Sequence, residues 1–510
     1  MHRPRWATRL NTCITGVAIL CTTACSTPMH TSPISSATTV ADSIRFAPER
    51  YETQHISAGG QTITVRAYEN LAYVRQPVDA NYQVMNIYIP EAYFHGQSVG
   101  GLTAQTAPIF LPNQVGGFMP AKPGTARPAT QGPNAGKQGA IAVALSKGFV
   151  VASPGARGRP TQDAQGRYTG KAPAAIVDLK AAVRYLRFND AAMPGNAEKI
   201  ISNGTSAGGA LSTLLGASGN HPDYEPYLQA LGAATARDDI LAVSAYCPII
   251  NLEQADAAYE WLFNGVNDYR KIEMSMLDFN VQRKEVAGTL STTQVTLSDA
   301  LQVTFPAYVN SLQLRSGQGQ PLTLDAAGNG SFKNQVQAYV MASAQAALDA
   351  GQDLSHHRWL KLEGRKVQGL DFGAYVRYAG RMKLPPAFDA LDLSSGENQL
   401  FGAAHVDTQH FTPFAMQHNT AVNATLADPQ QVKMMNAMRY IGTPGANTAP
   451  HWRVRHGTID RDTSLAIPAL LALTLQNKGY AVDFALPWDL PHSGDYDLES
   501  LFAWMLQVSQ

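Results

Sequence analysis

The chain has 510 residues, 45% of them apolar and 15% charged, with 39 basic side chains against 39 acidic ones. That length gives one elaborated domain or two to four ordinary ones, with a sizeable core in either case. The neutral balance lacks the basic excess of a nucleic-acid binder. A charged fraction below the usual ~25% excludes chain-wide disorder and a long coiled coil.

Residues 1–12 carry Arg3, Arg5 and Arg9 and no acid; an apolar stretch from Ile14 to Leu20 follows, then Thr22-Thr23-Ala24-Cys25. A basic start, a short apolar segment and a small-residue cleavage site are the parts of an export signal, expected over residues 1–25. The apolar stretch falls well short of the ~20 residues of a spanning helix. Ala24-Cys25-Ser26 resembles a bacterial lipoprotein cleavage box, which would put a lipid on Cys25 and attach the protein to a membrane; ordinary cleavage nearby is the alternative. The expected location is therefore outside the cytoplasm: periplasmic, anchored to the outer membrane, or secreted. The Ser/Thr/Pro-rich residues 26–45 suit a flexible tether. Without residues 1–25 the chain keeps 36 basic and 39 acidic residues, a net charge of −3 that implies no strongly charged partner. Of Cys13, Cys21, Cys25 and Cys247 only the last remains, and its apolar surroundings in 241–250 predict a buried core thiol.

Further along, residues 61–68 and 82–89 alternate as antiparallel strands do. Residues 107–111, 140–145 with 149–152, 199–202 and 241–246 are short apolar runs of the kind that form buried parallel strands. Helical patterns fall between them at 175–188 and 206–215. Near the end the order repeats, with strand 452–455, helix 463–476, strand 481–485 and helix 498–508. This alternation predicts an α/β fold, a three-layer sandwich around a mostly parallel sheet. From 251 to 418 the rhythm gives way to polar helical patterns at 297–314 and 331–348. That stretch is expected to be a cap inserted between two core parts, 46–250 and 419–510.

Gly-Thr-Ser-Ala-Gly at 204–208 follows the strand at 199–202 and opens a helix. Such a tight turn exposes the Ser206 hydroxyl at a helix N-terminus, where negative charge is favoured. A serine hydroxyl needs a base to take its proton and an acid to orient that base, in the chain order Ser, acid, His. Asp460 follows the strand ending at Arg455, and His492 follows the strand ending near Ala485, 32 residues on. Asp462 rivals Asp460, since position alone does not separate them. His451, His456 and the His356-His357 pair compete less well for the base. Oxyanion donors are expected from the N–H of Ala207 and from the glycine pair of Asn113-Gln-Val-Gly-Gly-Phe118, with Gly117 the choice. There is no His-Glu-x-x-His, no Gly-x-x-x-x-Gly-Lys and no mature cysteine pair, so no cofactor and no metal is expected.

Asn203-Gly-Thr-Ser-Ala-Gly-Gly209, Arg455-His-Gly-Thr-Ile-Asp-Arg-Asp462 and His492-Ser-Gly-Asp-Tyr-Asp497 together resemble the bacterial tannases (tannin acylhydrolases), α/β-hydrolases with a large cap and related to feruloyl esterases. The resemblance implies that Asp460 belongs to the triad and that Asp462 holds a substrate phenol. Lys383 and Glu397, 14 residues apart, would grip the other galloyl hydroxyls, and Ile249 would wall the ring. Three adjacent phenols can donate to carboxylates and accept from an ammonium, each such bond contributing ~1.5–3 kcal/mol. The implied activity is hydrolysis of galloyl esters through an acyl-enzyme, with a small phenolic ester as the partner. A feruloyl esterase or general carboxylesterase with the same triad is the nearest alternative, and a peptidase or a non-catalytic polyphenol binder stands further off. The sequence leaves the oligomeric state open.

Overall fold

A computed structural model describes residues 44–127, 139–277 and 280–510, with the backbone alone for 273–283. The expected export signal, Cys25 and nearly all of the expected tether lie outside the described residues. The tether's last two positions do not behave as a tether, because Ile44 is buried in the core.

The strands are β1 (Glu52–Ala58), β2 (Gln61–Ala72), β3 (Val84–Pro90), β4 (Pro108–Pro112), β5 (Val150–Pro154), β6 (Asn196–Thr205) and β7 (Ala242–Tyr246). Two hairpins follow, β8 (Asp268–Leu277) with β9 (Asn280–Thr289) and β10 (Leu360–Glu363) with β11 (Lys366–Leu370), then β12 (His451–Arg455) and β13 (Ala481–Ala485). Nine of these form one sheet in the order β1-β2-β3-β5-β4-β6-β7-β12-β13. Its first three junctions are antiparallel, and every junction from β5 to β13 is parallel. The expected sheet is present.

Successive residues of the central strands are buried on opposite faces, as a sheet covered on both sides requires. Ile109, Leu111, Val150, Ala152 and Ile200 pack toward the helices α2 (Ala174–Phe188), α3 (Ala207–Ala217) and α13 (Ala466–Asn477). Phe110, Val151 and Ile201 pack toward α1 (Ala140–Ser146) and α14 (Leu498–Val508). One expectation fails here. The apolar run at 140–145 is helix α1 rather than strand, because a run buried from every side carries no period that tells the two apart.

Between β7 and β12 the chain leaves the sheet. It enters α5 (Leu252–Phe263), the two hairpins, α6 (Thr292–Gln302), α7 (Phe305–Ser311), α8 (Ser331–Asp349), α9 (Phe372–Ala379) and α10 (Gly396–Leu400). The helix expected over 297–314 is two helices, broken where Phe305-Pro306 starts α7. Phe305, Phe332, Val336 and Tyr375 of this insert belong to the same buried cluster as the sheet face beneath it. The chain rejoins the sheet at β12.

Candidate active site

The loops after β6, β7, β12 and β13 all leave the same edge of the parallel sheet, where ligands bind in open α/β sheets. Ser206 caps α3 with φ 61° and ψ −123°, a strained conformation for a residue with a side chain, which puts it at the tip of the strand-to-helix turn. The glycines of the motif are required by close approach. A Cβ on Gly204 would lie 2.3 Å from the Gly208 carbonyl oxygen, and one on Gly208 would lie 2.7 Å from the Val115 carbonyl oxygen. The main chain of Ser206 is held by Tyr246 and Ile249: its N–H donates to the Tyr246 carbonyl at 3.0 Å, and the Ile249 N–H donates to its carbonyl at 3.3 Å. Ile249 is thus buried beside Ser206.

The structure separates the two acids that the sequence left tied. His492 Nδ1 lies 2.8 Å from Asp460 Oδ2 and 3.8 Å from Asp462 Oδ2. The Asp460 side chain is wholly buried, whereas Asp462 is 30% exposed. Burial alone would push the Asp460 carboxyl up. The neighbouring imidazoles of His456 and His492 and the N–H of Asp462 instead hold it below the ordinary carboxylate range. Burial alone would pull the His492 imidazole down; the Asp460 carboxylate holds it well above its ordinary value. His456, the rival base, is sealed in the core with Nδ1 3.5 Å from Asp460, and burial lowers its pKa. His357 lies against His356 and packs among Trp359, Tyr378 and Trp488.

Three contacts fasten the His492 loop to the Ser206 turn and to the loop after β7. Asn203 Nδ2 donates to Asp495 at 3.0 Å, and Cys247 Sγ donates to the Ser493 carbonyl at 3.1 Å. Gly494 lies so close to Thr205 that a Cβ there would sit 1.8 Å from the threonine hydroxyl. Cys247 is buried as expected, and that burial pushes its thiol up and keeps it protonated.

The loop after β4 is fastened to α3 by Asn113, whose Nδ2 donates to the Gly208 carbonyl and to Ser212 Oγ, each at 3.0 Å. Gly117 and Phe118 both have positive φ, 54° and 55°. The N–H groups of Ala207 and Gly117 donate to no acceptor among the described residues. Arg159 then joins this loop to the insert, with Nε donating to the Gly117 carbonyl at 2.9 Å and Nη1 to Gln399 on α10. Glu397 lies on that same helix, partly exposed and in no ion pair among the described residues. The partly exposed Lys383 is also outside any ion pair among them, with Nζ 3.8 Å from the centre of the Phe388 ring.

Asn113 and Arg159 tie the segments of this site together without having been singled out as site residues in the sequence. Asn113 carried a usable signal, as the first residue of the glycine loop. Arg159 carried none, because its partners, the Gly117 carbonyl and the Gln399 side chain, are brought close only by folding.

A partly exposed serine on a strained strand-to-helix turn, with a His–Asp pair on the loops of later strands, is the arrangement of an α/β-hydrolase. The comparisons agree. A family model described as BD-FAE matches residues 130–299. The crystal structure of Fusobacterium nucleatum tannase is 50% identical, with 92% of this chain and 99% of that one covered and a TM-score of 0.87. Tannase from Lactobacillus plantarum is 47% identical over 92% of this chain and 100% of that one, with a TM-score of 0.88. A tannin acyl hydrolase in complex with ethyl gallate is 47% identical with the same coverage and a TM-score of 0.87. No curated protein matches. The chain belongs to the tannases, and it is a carboxylic ester hydrolase.

Proposed function

We propose that this enzyme hydrolyses galloyl esters, both simple gallates and hydrolysable tannins, releasing gallic acid through an acyl-enzyme on Ser206. The observation that carries this is the hydrogen-bonded pair of buried Asp460 and partly exposed His492, linked by loop contacts to the Ser206 turn. Lys383, Glu397 and Asp462 stand partly exposed in the surrounding segments.

In this reading His492 takes the Ser206 proton as the oxygen attacks the galloyl carbonyl, and Asp460 stabilises the imidazolium that forms. The N–H groups of Ala207 and Gly117 receive the oxyanion. The imidazolium then protonates the departing alcohol, and water repeats the sequence to free the acid. Asp462 and Glu397 accept from the ring hydroxyls while Lys383 donates to one, and Ile249 packs against the ring. A non-phenolic acyl group would leave those charges unpaired, and this supplies the selectivity. The match to BD-FAE favours including a ferulate ester in the test.

Methyl gallate, methyl ferulate and methyl benzoate are to be compared with the wild type and with Ser206→Ala. The wild type should strongly prefer gallate, and the alanine variant should be inert; equal turnover of benzoate would refute the phenol grip. Export with lipid attachment at Cys25 belongs to the same proposal. It predicts that Cys25→Ala abolishes incorporation of labelled fatty acid into the protein.

A further inference from the structure

Tyr259 lies on α5, which starts just after the loop that carries Ile249. Its ring is fully buried, with ring centres 4.7 Å from Phe263 and 6.5 Å from Phe388, and the Arg381 guanidinium 5.8 Å from its own ring centre. The phenolic oxygen is used to capacity. It accepts from the N–H of Met382 at 3.1 Å and of Lys383 at 3.0 Å, and it donates to the Arg461 carbonyl at 3.1 Å. A phenol has one proton to give and two lone pairs to share, so no capacity is left over.

The carbonyl it holds is half of a peptide group whose other half is the N–H of Asp462, and that N–H donates to Asp460 Oδ1 at 2.9 Å. The Arg461–Asp462 peptide is therefore gripped from both sides, by Tyr259 on its oxygen and by the triad acid on its nitrogen. One phenol thus fixes the backbone at Lys383 and at Asp462, which come from distant parts of the chain. Tyr375 holds the same acid loop separately, donating to the Thr458 carbonyl at 2.6 Å.

We propose that Tyr259 is a positioning residue that sets the spacing between the Lys383 ammonium and the Asp462 carboxylate, and so the enzyme's selectivity for an acyl ring bearing adjacent hydroxyls. This rests on the reading that those two groups hold the galloyl phenols. Tyr259 touches no substrate. It acts by making the two chain segments one rigid unit, so that ring recognition depends on the insert and the core loop moving together.

The test is Tyr259→Phe, with kcat and KM measured on methyl gallate and methyl benzoate beside Lys383→Met and Asp462→Asn. The ratio of gallate to benzoate kcat/KM should fall about tenfold or more, through a raised KM for gallate. Benzoate kcat should stay within about threefold, because Tyr375 still holds the acid loop. Parallel loss on both esters would mean a merely structural role and would overturn the proposal, as would an unchanged ratio. If Lys383→Met and Asp462→Asn lower the ratio and Tyr259→Phe does not, the positioning role alone falls. If none of the three lowers it, the phenol-grip reading falls with it. Should the phenylalanine variant fail to fold, 3-fluorotyrosine at 259 keeps the ring and weakens the oxygen as an acceptor. A smaller fall in the same ratio is then expected, and no change would refute the role.

Discussion

Two carboxylates two residues apart should respond very differently to loss of charge, and Asp460→Asn against Asp462→Asn is the sharpest test of the proposed chemistry. Asp460 lies 2.8 Å from His492 Nδ1 with no exposed side-chain surface. At an effective dielectric constant of ~20, unit charges at that distance attract by about 6 kcal/mol. Part of that offsets the desolvation of the pair. An asparagine also presents either an uncharged acceptor or an amide donor that favours the wrong imidazole tautomer. In serine hydrolases of this design the change lowers turnover about 10⁴-fold, so Asp460→Asn should cost ~10³–10⁴ on every ester. Asp462 sits 3.8 Å from the same nitrogen and is 30% exposed, so solvent screens it. Its asparagine variant should lose about tenfold or more on methyl gallate, through the lost phenol contact, and little on methyl benzoate. The acid limb of kcat/KM adds a second reading, because in the proposed chemistry neutral His492 is the base. Asp460 raises the imidazole pKa, so wild-type activity is lost as pH falls through a value above the ordinary one. With Asp460→Asn burial prevails, and the limb moves to lower pH. Steady-state kinetics from acid to neutral pH on both esters measure all of this. Equal losses for the two variants, or more than about a tenth of the activity left in Asp460→Asn, would refute the assignment.

Other consequences follow from the packing. Arg381→Met strands the fully buried Glu260 carboxylate, which Arg381 now meets at 2.8 Å, and should destabilise the fold by about 3–5 kcal/mol in chemical denaturation; a loss under ~1 kcal/mol would contradict that picture. Gly204→Ala forces a methyl group against the Gly208 carbonyl and should lower both Tm and turnover, with a cost of about 1–3 kcal/mol. Asp256 is fully buried, and burial together with the nearby Asp389 raises its pKa to about 7. A carboxyl raised in the folded state opposes folding increasingly as pH climbs from ~4 toward 7. The stability of Asp256→Asn relative to wild type should therefore improve over that window, and a pH-independent difference in Tm would count against it.

The strand–helix rhythm, the tight turn at Ser206 and the loop positions of Asp460 and His492 were legible in the chain because each is a local signal. Alternating burial, small residues around Ser206 and loops after apolar strands are all written in neighbouring positions. The strand-like run at 140–145 was not decidable, since complete burial erases the period that separates helix from strand. The choice between Asp460 and Asp462 was not decidable either, because residues two apart on a loop point in directions that only its path fixes. Folding decided three further things: which acid is buried against His492, how Arg159 joins the Gly117 loop to the helix of Glu397, and how one phenol on α5 unites Lys383 with Asp462. Those bonds end largely on main-chain atoms. Every residue carries such atoms, so side-chain identity along the chain does not announce them.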